Sequence, residues 1–252
     1  MTVTFSVQLD GDEADDGVID NNSVKIDTNG SGVITYAGHG GSSVMGGMDD
    51  KTPNAYEEAW DSLTQTGTDS VINGGGGNDL VRYDSPSFSG VTVHASMTLN
   101  AAAAQNGQYT DFGVVVKPEM AEGLEIGYAF GETEATAGTP IDDSTLYVKY
   151  AYGPVTIGIQ QSESDAASAT NSDESDTFGI SYQISDDFSI SYNTHDYNDG
   201  AWTVDEEYSG VSASYTMGGI TIAGHMNEVS NRGGSSTAAD VEGYELSLAF
   251  AF

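Results

Sequence analysis

The sequence ends Tyr244-Glu245-Leu246-Ser247-Leu248-Ala249-Phe250-Ala251-Phe252, a run in which every second residue is large and apolar. Side chains on a strand alternate between faces, so Tyr244, Leu246, Leu248, Phe250 and Phe252 share one face while Glu245, Ser247, Ala249 and Ala251 share the other. One face suits lipid or a core and the other tolerates water, the pattern of a strand that closes a barrel. A single such strand also fits an ordinary sandwich. Here the same alternation recurs along nearly the whole chain, and the recurrence decides the fold.

Alternation and turn signals together predict fourteen strands, near 2–10, 22–28, 32–38, 80–85, 91–99, 109–117, 123–132, 144–152, 154–162, 176–184, 188–197, 207–217, 219–229 and 241–252. Their connections sort by length. Asn29-Gly30-Ser31, Pro86 to Gly90, Pro118 to Gly123, Gly153, Asp186-Asp187 and Gly218-Gly219 are tight. Those near 11–21, 39–79, 100–108, 133–143, 163–175, 198–206 and 230–240 are long and rich in Asp, Ser, Gly and Thr. Short turns at one end and long loops at the other describe an all-β, antiparallel up-and-down transmembrane barrel, turns toward the periplasm and loops outside. A Greek-key sandwich has no reason to sort its loops this way. The chain reads as one domain, 1–252.

Composition agrees. Among 252 residues there are 14 Tyr, 8 Phe, 32 Gly and 5 Pro, with 38% hydrophobic residues and a mean hydropathy of −0.30. No apolar run approaches the 18 residues of a helical span, but barrel strands cross with about ten residues and hide every second one from lipid. Aromatics near strand ends suit the two interfacial girdles: Tyr128 and Phe130, Tyr150 and Tyr152, Phe188 and Tyr192, Tyr208 and Tyr215, Phe250 and Phe252. The absence of Cys excludes disulfide scaffolds, thiol catalysis and zinc-thiolate sites. A net charge of −33 opposes nucleic-acid or anionic-lipid partners and makes cations natural company. Met1 to Phe5 opens directly in strand pattern, with no basic leader ahead of it, so either a leader was removed or the chain is cut at its start.

Residues 39–79 break the pattern. They contain Pro53-Asn54-Ala55-Tyr56-Glu57-Glu58-Ala59-Trp60-Asp61-Ser62-Leu63, which predicts a short helix over 54–63. A connection this long inside a compact domain is usually functional, and on a water-filled barrel it is read as an inward-folded constriction loop.

At Leu80-Val81-Arg82-Tyr83-Asp84-Ser85-Pro86-Ser87-Phe88-Ser89-Gly90-Val91-Thr92-Val93, and at the terminal Phe252, the sequence resembles the general diffusion porins of Gram-negative bacteria, above all the alphaproteobacterial, Rhodobacter-type porins. The resemblance covers nearly the whole chain. It implies sixteen strands in the intact family, with the constriction loop between the fifth and sixth, so that two strands are missing ahead of Met1. It also implies outer-membrane residence, a homotrimer, passive diffusion of small hydrophilic solutes, and loop acids facing wall bases across the pore.

Alternation assigns the pore lining. Lys25, Arg82, Lys117 and Lys149 all fall on the lumen face, together with Asp84, Asp111 and Tyr147. The loop contributes Asp49, Asp50, Glu57, Glu58, Asp61, Asp69 and Asp79 against Lys51. Carboxylates at a constriction favour cations, so the expected activity is a cation-preferring channel.

Other signals are weaker. Gly74-Gly75-Gly76-Gly77-Asn78-Asp79-Leu80-Val81-Arg82 fits one calcium nonapeptide repeat, but that architecture needs stacked copies. Asp10, Asp12, Asp15 and Asp16 offer loose calcium binding in an acidic loop without EF-hand spacing. His39, His94, His195 and His225 have no paired spacing and read as isolated polar lining. No nucleophile elbow or phosphate loop is present, and the expectation is a protein that is not an enzyme and requires no cofactor. The competing reading is a secreted acidic calcium-binding β protein, an adhesin or surface-layer module.

Overall fold

The computed structural model describes residues 1–9, 19–61, 63, 77–99, 108–134, 140–166 and 172–251. They form β1 (Thr2–Leu9), β2 (Ile19–Asp27), β3 (Val33–His39), β4 (Leu80–Asp84), β5 (Val91–Thr98), β6 (Tyr109–Val116), β7 (Leu124–Thr133), β8 (Ile141–Tyr152), β9 (Val155–Ala166), β10 (Ser172–Ser185), β11 (Phe188–Asn198), β12 (Glu206–Met217), β13 (Ile220–Ser230) and β14 (Val241–Phe250). These make a single 14-stranded sheet in which each strand pairs antiparallel with the next, from β1 to β14, and the hydrogen bonding does not close the two edges on each other. All fourteen expected strands are present, with tight turns at one end and long connections at the other.

The register fixes two faces. Residues paired across an antiparallel ladder share a face, and the row Ile126, Val148, Ile159, Phe178 is apolar. Its exposed members continue around the sheet as Phe130, Leu146, Ile157, Ile190, Val211, Ile222, Leu246 and Leu248. Leu124, Ile180 and Ile220 belong to the same outward face. The opposite face is polar and covered: Ser96, Asp111, Thr145, Gln160, Ser162, Thr177, Ser191, Asn193, Ser212, His225 and Asn227 are all buried. A soluble protein exposes polar groups and buries apolar ones. Here the order is inverted, as a lipid-facing wall requires.

Aromatic pairs stand toward both ends of the outward face. Tyr150 and Tyr152 stack at 6.4 Å and Phe188 meets Tyr215 edge-on at 6.2 Å near the turns, while Phe112 and Phe130 stack at 5.6 Å nearer the loops. Tyr208 departs from the expected girdle. It pairs with His195 on the inward face and is 1% exposed, packed with Tyr197, Val229 and Ala59. In β12 the outward positions are Val211, Ala213 and Tyr215, so residue 208 has the wrong parity for lipid. Phe252 lies outside the described residues.

Candidate functional site

The described first part of the connection from β3 to β4, residues 40–61, does not project away from the sheet. It runs along the inward face, strand by strand, and its backbone is held by side chains of the wall. Val44 N–H donates to Ser96 Oγ of β5 (3.0 Å), and Met45 N–H to Asp111 Oδ2 of β6 (2.7 Å). On β9, Gln160 accepts from Lys51 N–H (2.8 Å) and donates to Met48 O (2.5 Å). Asn193 of β11 donates to Pro53 O (3.0 Å), Ser191 accepts from Ala55 N–H (2.9 Å), and Ser212 of β12 accepts from Tyr56 N–H (3.2 Å). Asn227 of β13 donates to both Glu58 O (2.8 Å) and Asp61 O (2.9 Å), and the Tyr56 hydroxyl reaches Glu245 Oε1 of β14 at 2.5 Å. Residues 43–61 thus lie across ten consecutive strand positions of the lumen face.

This arrangement corrects the expected helix. Residues 55–57 are bends, 59–61 form a turn, and no helix occurs among the described residues. A helix would spend backbone amides on carbonyls four residues back. Here the amides of Ala55 and Tyr56 go to wall serines, and Asp61 N–H closes only a three-residue turn on Glu58 O at 3.3 Å. A ten-residue segment behind a proline has little intrinsic helicity to oppose that exchange.

Two apolar clusters pin the loop. Val44, Met45 and Met48 pack on Tyr109, Ala129 and Tyr147, and Ala59 with Trp60 and Leu63 packs on Tyr197, Tyr208 and Val229. Trp60 lies 4.6 Å from the buried His195 ring. Close approach is possible because the wall beneath is glycine: a Cβ on Gly158 would fall 2.7 Å from Pro53 Cδ, and one on Gly113 would fall 2.6 Å from Val44 Cγ1.

The acids sort into different places. Glu57, Glu58 and Asp61 come together, with carboxylate oxygens all within 4.8 Å of one another. Burial raises the Glu58 carboxyl to about 7, with a hydrogen bond to Asp50 adding to it, and burial with a hydrogen bond to Glu58 raises Asp61 to about 6. Glu57 is raised by burial and by Asp61, with His225 pulling it back. Asp49 is raised by burial while accepting the Asp50 N–H at 2.9 Å. Asp79 stands apart, at the root of β4, where it accepts the Tyr36 hydroxyl at 3.1 Å. Asp69 and the acidic residues Asp10, Asp12, Asp15 and Asp16 lie outside the described residues.

Ladder register and ion pairs locate the four bases. Lys25 shares a ladder row with Thr35 and Arg82, and Lys149 shares one with Glu125. Arg82 pairs with Asp84 at 2.9 Å and donates to the carbonyls of Ser42 (3.2 Å) and Ser43 (2.9 Å), so it ties down the root of the loop. Lys117 and Lys149 reach Glu125 at 3.1 and 3.9 Å.

A lipid-facing antiparallel wall with a long loop laid along its polar lumen face is what the comparisons recognise. The model of the Gram-negative porin family matches residues 1–233. The chain belongs to that family. The porin's fold recurs in solved structures: OmpF of Salmonella typhi at TM-score 0.67 and 11% identity, over 94% of this chain and 80% of that one; OmpT of Vibrio cholerae at 0.61 and 14%, over 92% and 80%; and a mutant Rh. blastica porin at 0.61 and 12%, over 99% and 83%. No curated protein matches the chain by sequence. Family and fold place this porin in the outer membrane and set aside the secreted adhesin.

Proposed function

We propose that this porin is a cation-preferring diffusion channel for small hydrophilic solutes and ions, with Glu57, Glu58 and Asp61 as its selectivity group. The observation that carries the reading is their convergence on the lumen-side loop, while Arg82 is engaged by Asp84 and Lys117 and Lys149 share Glu125. A cation passing the loop meets a locally uncompensated negative field, and within a narrow lumen little electrolyte lies between ion and carboxylate to screen it. The filter is steric and electrostatic, and no bond is made or broken. A tenfold preference needs only about 1.4 kcal/mol of differential potential.

Homotrimeric assembly and alphaproteobacterial kinship belong to the same proposal and rest on the resemblance carried by the Leu80 to Val93 segment. Reversal potentials in planar bilayers under a tenfold salt gradient test the channel. The wild type should favour cations, and the E57Q/E58Q/D61N variant should lose more of that preference than a variant with three acids of residues 12–16 neutralised. An anion-selective wild type refutes the reading.

A further inference from the structure

The turn that gathers the three carboxylates is held from two sides. Asn227 takes its carbonyls from the wall, and between Glu58 and Asp61 the side chains of Ala59 and Trp60 enter an apolar cluster with Tyr197, Tyr208 and Val229. Wall and loop do not complete that cluster. Trp202, from the outer connection between β11 and β12, packs against it as well, as does Val241 at the start of β14. The chain has two tryptophans, and both belong here, one from the constriction loop and one from outside the barrel.

Trp202 is fixed on two sides. Its ring stands edge-on to Tyr197 at 5.5 Å and 83°, and the connection between β13 and β14 closes over it at Gly234. Gly233 and Gly234 have φ of +63° and +67°, a region that favours glycine, and a Cβ on Gly234 would fall 2.2 Å from Trp202 Cγ. The same connection is tied from beneath. Gly233 N–H donates to Glu206 Oε2 at 2.5 Å, and the other oxygen of that buried carboxylate accepts the Tyr208 hydroxyl. Tyr208 in turn lies 5.6 Å from the His195 ring, which lies 4.6 Å from Trp60. Two routes of contact, one through Trp202 and one through Glu206, therefore lead from the outer connections to the cluster that holds Ala59 and Trp60.

We propose that Trp202 is a positioning residue for the channel, latching the outer connections 199–205 and 231–240 onto the constriction loop so that they set where Glu57, Glu58 and Asp61 stand. Interiors are close-packed, so withdrawing one ring removes support from the side chains around it. Ala59 and Trp60 lie between the carboxylates in sequence, and the loss of their support moves the acids while the wall strands stay in place. The proposal rests on the reading of this loop as the constriction and adds that the outer surface governs it. Whatever lifts either connection from outside loosens the pore.

The test uses the full chain, folded in detergent and reconstituted in planar bilayers. Trp202→Ala should speed protease cleavage within residues 43–61 at least about tenfold, because such cleavage follows the population of the opened loop. It should also add noise to the single-channel current and move the reversal potential toward zero, at unchanged strand content. Trp202→Phe should restore most of all three, and Thr203→Ala, exposed one residue away, should change none. Gly234→Ala forces the same contact apart from its other side, so it should reproduce Trp202→Ala, and the double variant should be no worse than either alone. Additive effects in the double variant, or wild-type cleavage and current in both single variants, overturn the proposal. A lower urea midpoint with quiet current and unaltered selectivity does so too, since it marks a tryptophan that only stabilises. Gly234→Ala carries the test if Trp202→Ala does not fold. Cleavage and noise do not depend on which ion is preferred, so an anion-selective wild type refutes the selectivity reading and leaves the latch standing.

Discussion

Met45 and Asp111 are joined by a 2.7 Å hydrogen bond from backbone amide to carboxylate, across 66 residues of sequence and with the Asp111 side chain wholly covered. The same carboxylate also accepts the Ser96 hydroxyl, which itself takes the Val44 amide. One acidic residue of β6 thus organises the first turn of the loop. Asp111→Ala leaves the Met45 amide buried without a partner, a cost of about 1–3 kcal/mol. The expected outcome is a loop loosened at its root: faster cleavage within residues 43–61 by added protease, and noisier single-channel current at unchanged strand content by circular dichroism.

Gly158 makes a second prediction, because a Cβ there would press directly on the loop at Pro53. A side chain there has no free space beyond Pro53 and the Thr52 Cα at 3.3 Å. Gly158→Val should lift the middle of the loop off β9 and break the pair of hydrogen bonds at Gln160. Altered single-channel conductance is expected, with the folded yield in detergent little changed.

The strands were legible because their signal is local. Period-2 alternation needs only neighbouring residues, and the sorting of tight turns from long connections needs only counting. Inward placement of Lys25, Arg82, Lys117 and Lys149 follows from the same parity. The girdle assignment of Tyr208 failed where propensity was allowed to stand for parity. The helix at 54–63 failed for a deeper reason: what decides the loop's backbone is its exchange with Ser191, Ser212 and Asn227, residues 136 to 169 positions away. No local pattern carries that. A partial signal was present in the inward glycines at 113, 158 and 179, which interrupt a polar lining for no reason a strand supplies, and mark where another backbone lies.

The outward face predicts a stability asymmetry between adjacent residues. Ile157 is 42% exposed within the apolar band, and Thr156 beside it points to the lumen. Ile157→Lys, level with the interfacial Tyr150, should destabilise the porin in phosphatidylcholine vesicles by about 1 kcal/mol, the scale for a lipid-facing lysine near an interface, whereas Thr156→Lys should change little. Urea unfolding in the two variants checks this directly. Equal losses would mean that the face assignment is wrong.

Acid should weaken cation preference. Glu58 and Asp61 are raised to about 7 and about 6, chiefly by burial, so both are largely protonated near pH 5 and ionised by pH 8. The groups acting on them from elsewhere are Asp50, on Glu58, and Glu57, on Asp61; Glu57 in turn feels His225 of β13 and Glu245 of β14. Because the folded-state values lie above the unfolded ones, their contribution to loop docking is fully present below about pH 4 and declines as pH rises through 6 and 7. Selectivity runs the other way, gaining negative charge over the same interval. Reversal potentials in EDTA-buffered electrolyte should show cation preference growing from pH 5 to pH 8, and a flat profile would contradict the assignment of the acids.

Lys25 and Arg82 should separate field from anchorage. Both are inward on one ladder row, but among the described residues it is Arg82 that touches the loop, through the carbonyls of Ser42 and Ser43. Removing either charge strips positive potential from the lumen, so Lys25→Gln and Arg82→Gln should each raise the cation-to-anion permeability ratio. Arg82→Gln should also free Asp84 from one of its two partners and release the loop root, while His94 keeps the other at 2.7 Å. Its single-channel current should therefore be noisier as well as more cation-selective, and Lys25→Gln should be more selective with quiet current. Salt resolves the two effects: the selectivity gain should shrink as ionic strength rises toward 1 M, where the Debye length falls to about 3 Å, but the noise of Arg82→Gln should persist. Noise that vanished together with the selectivity gain would leave Arg82 as a charge on the wall and nothing more.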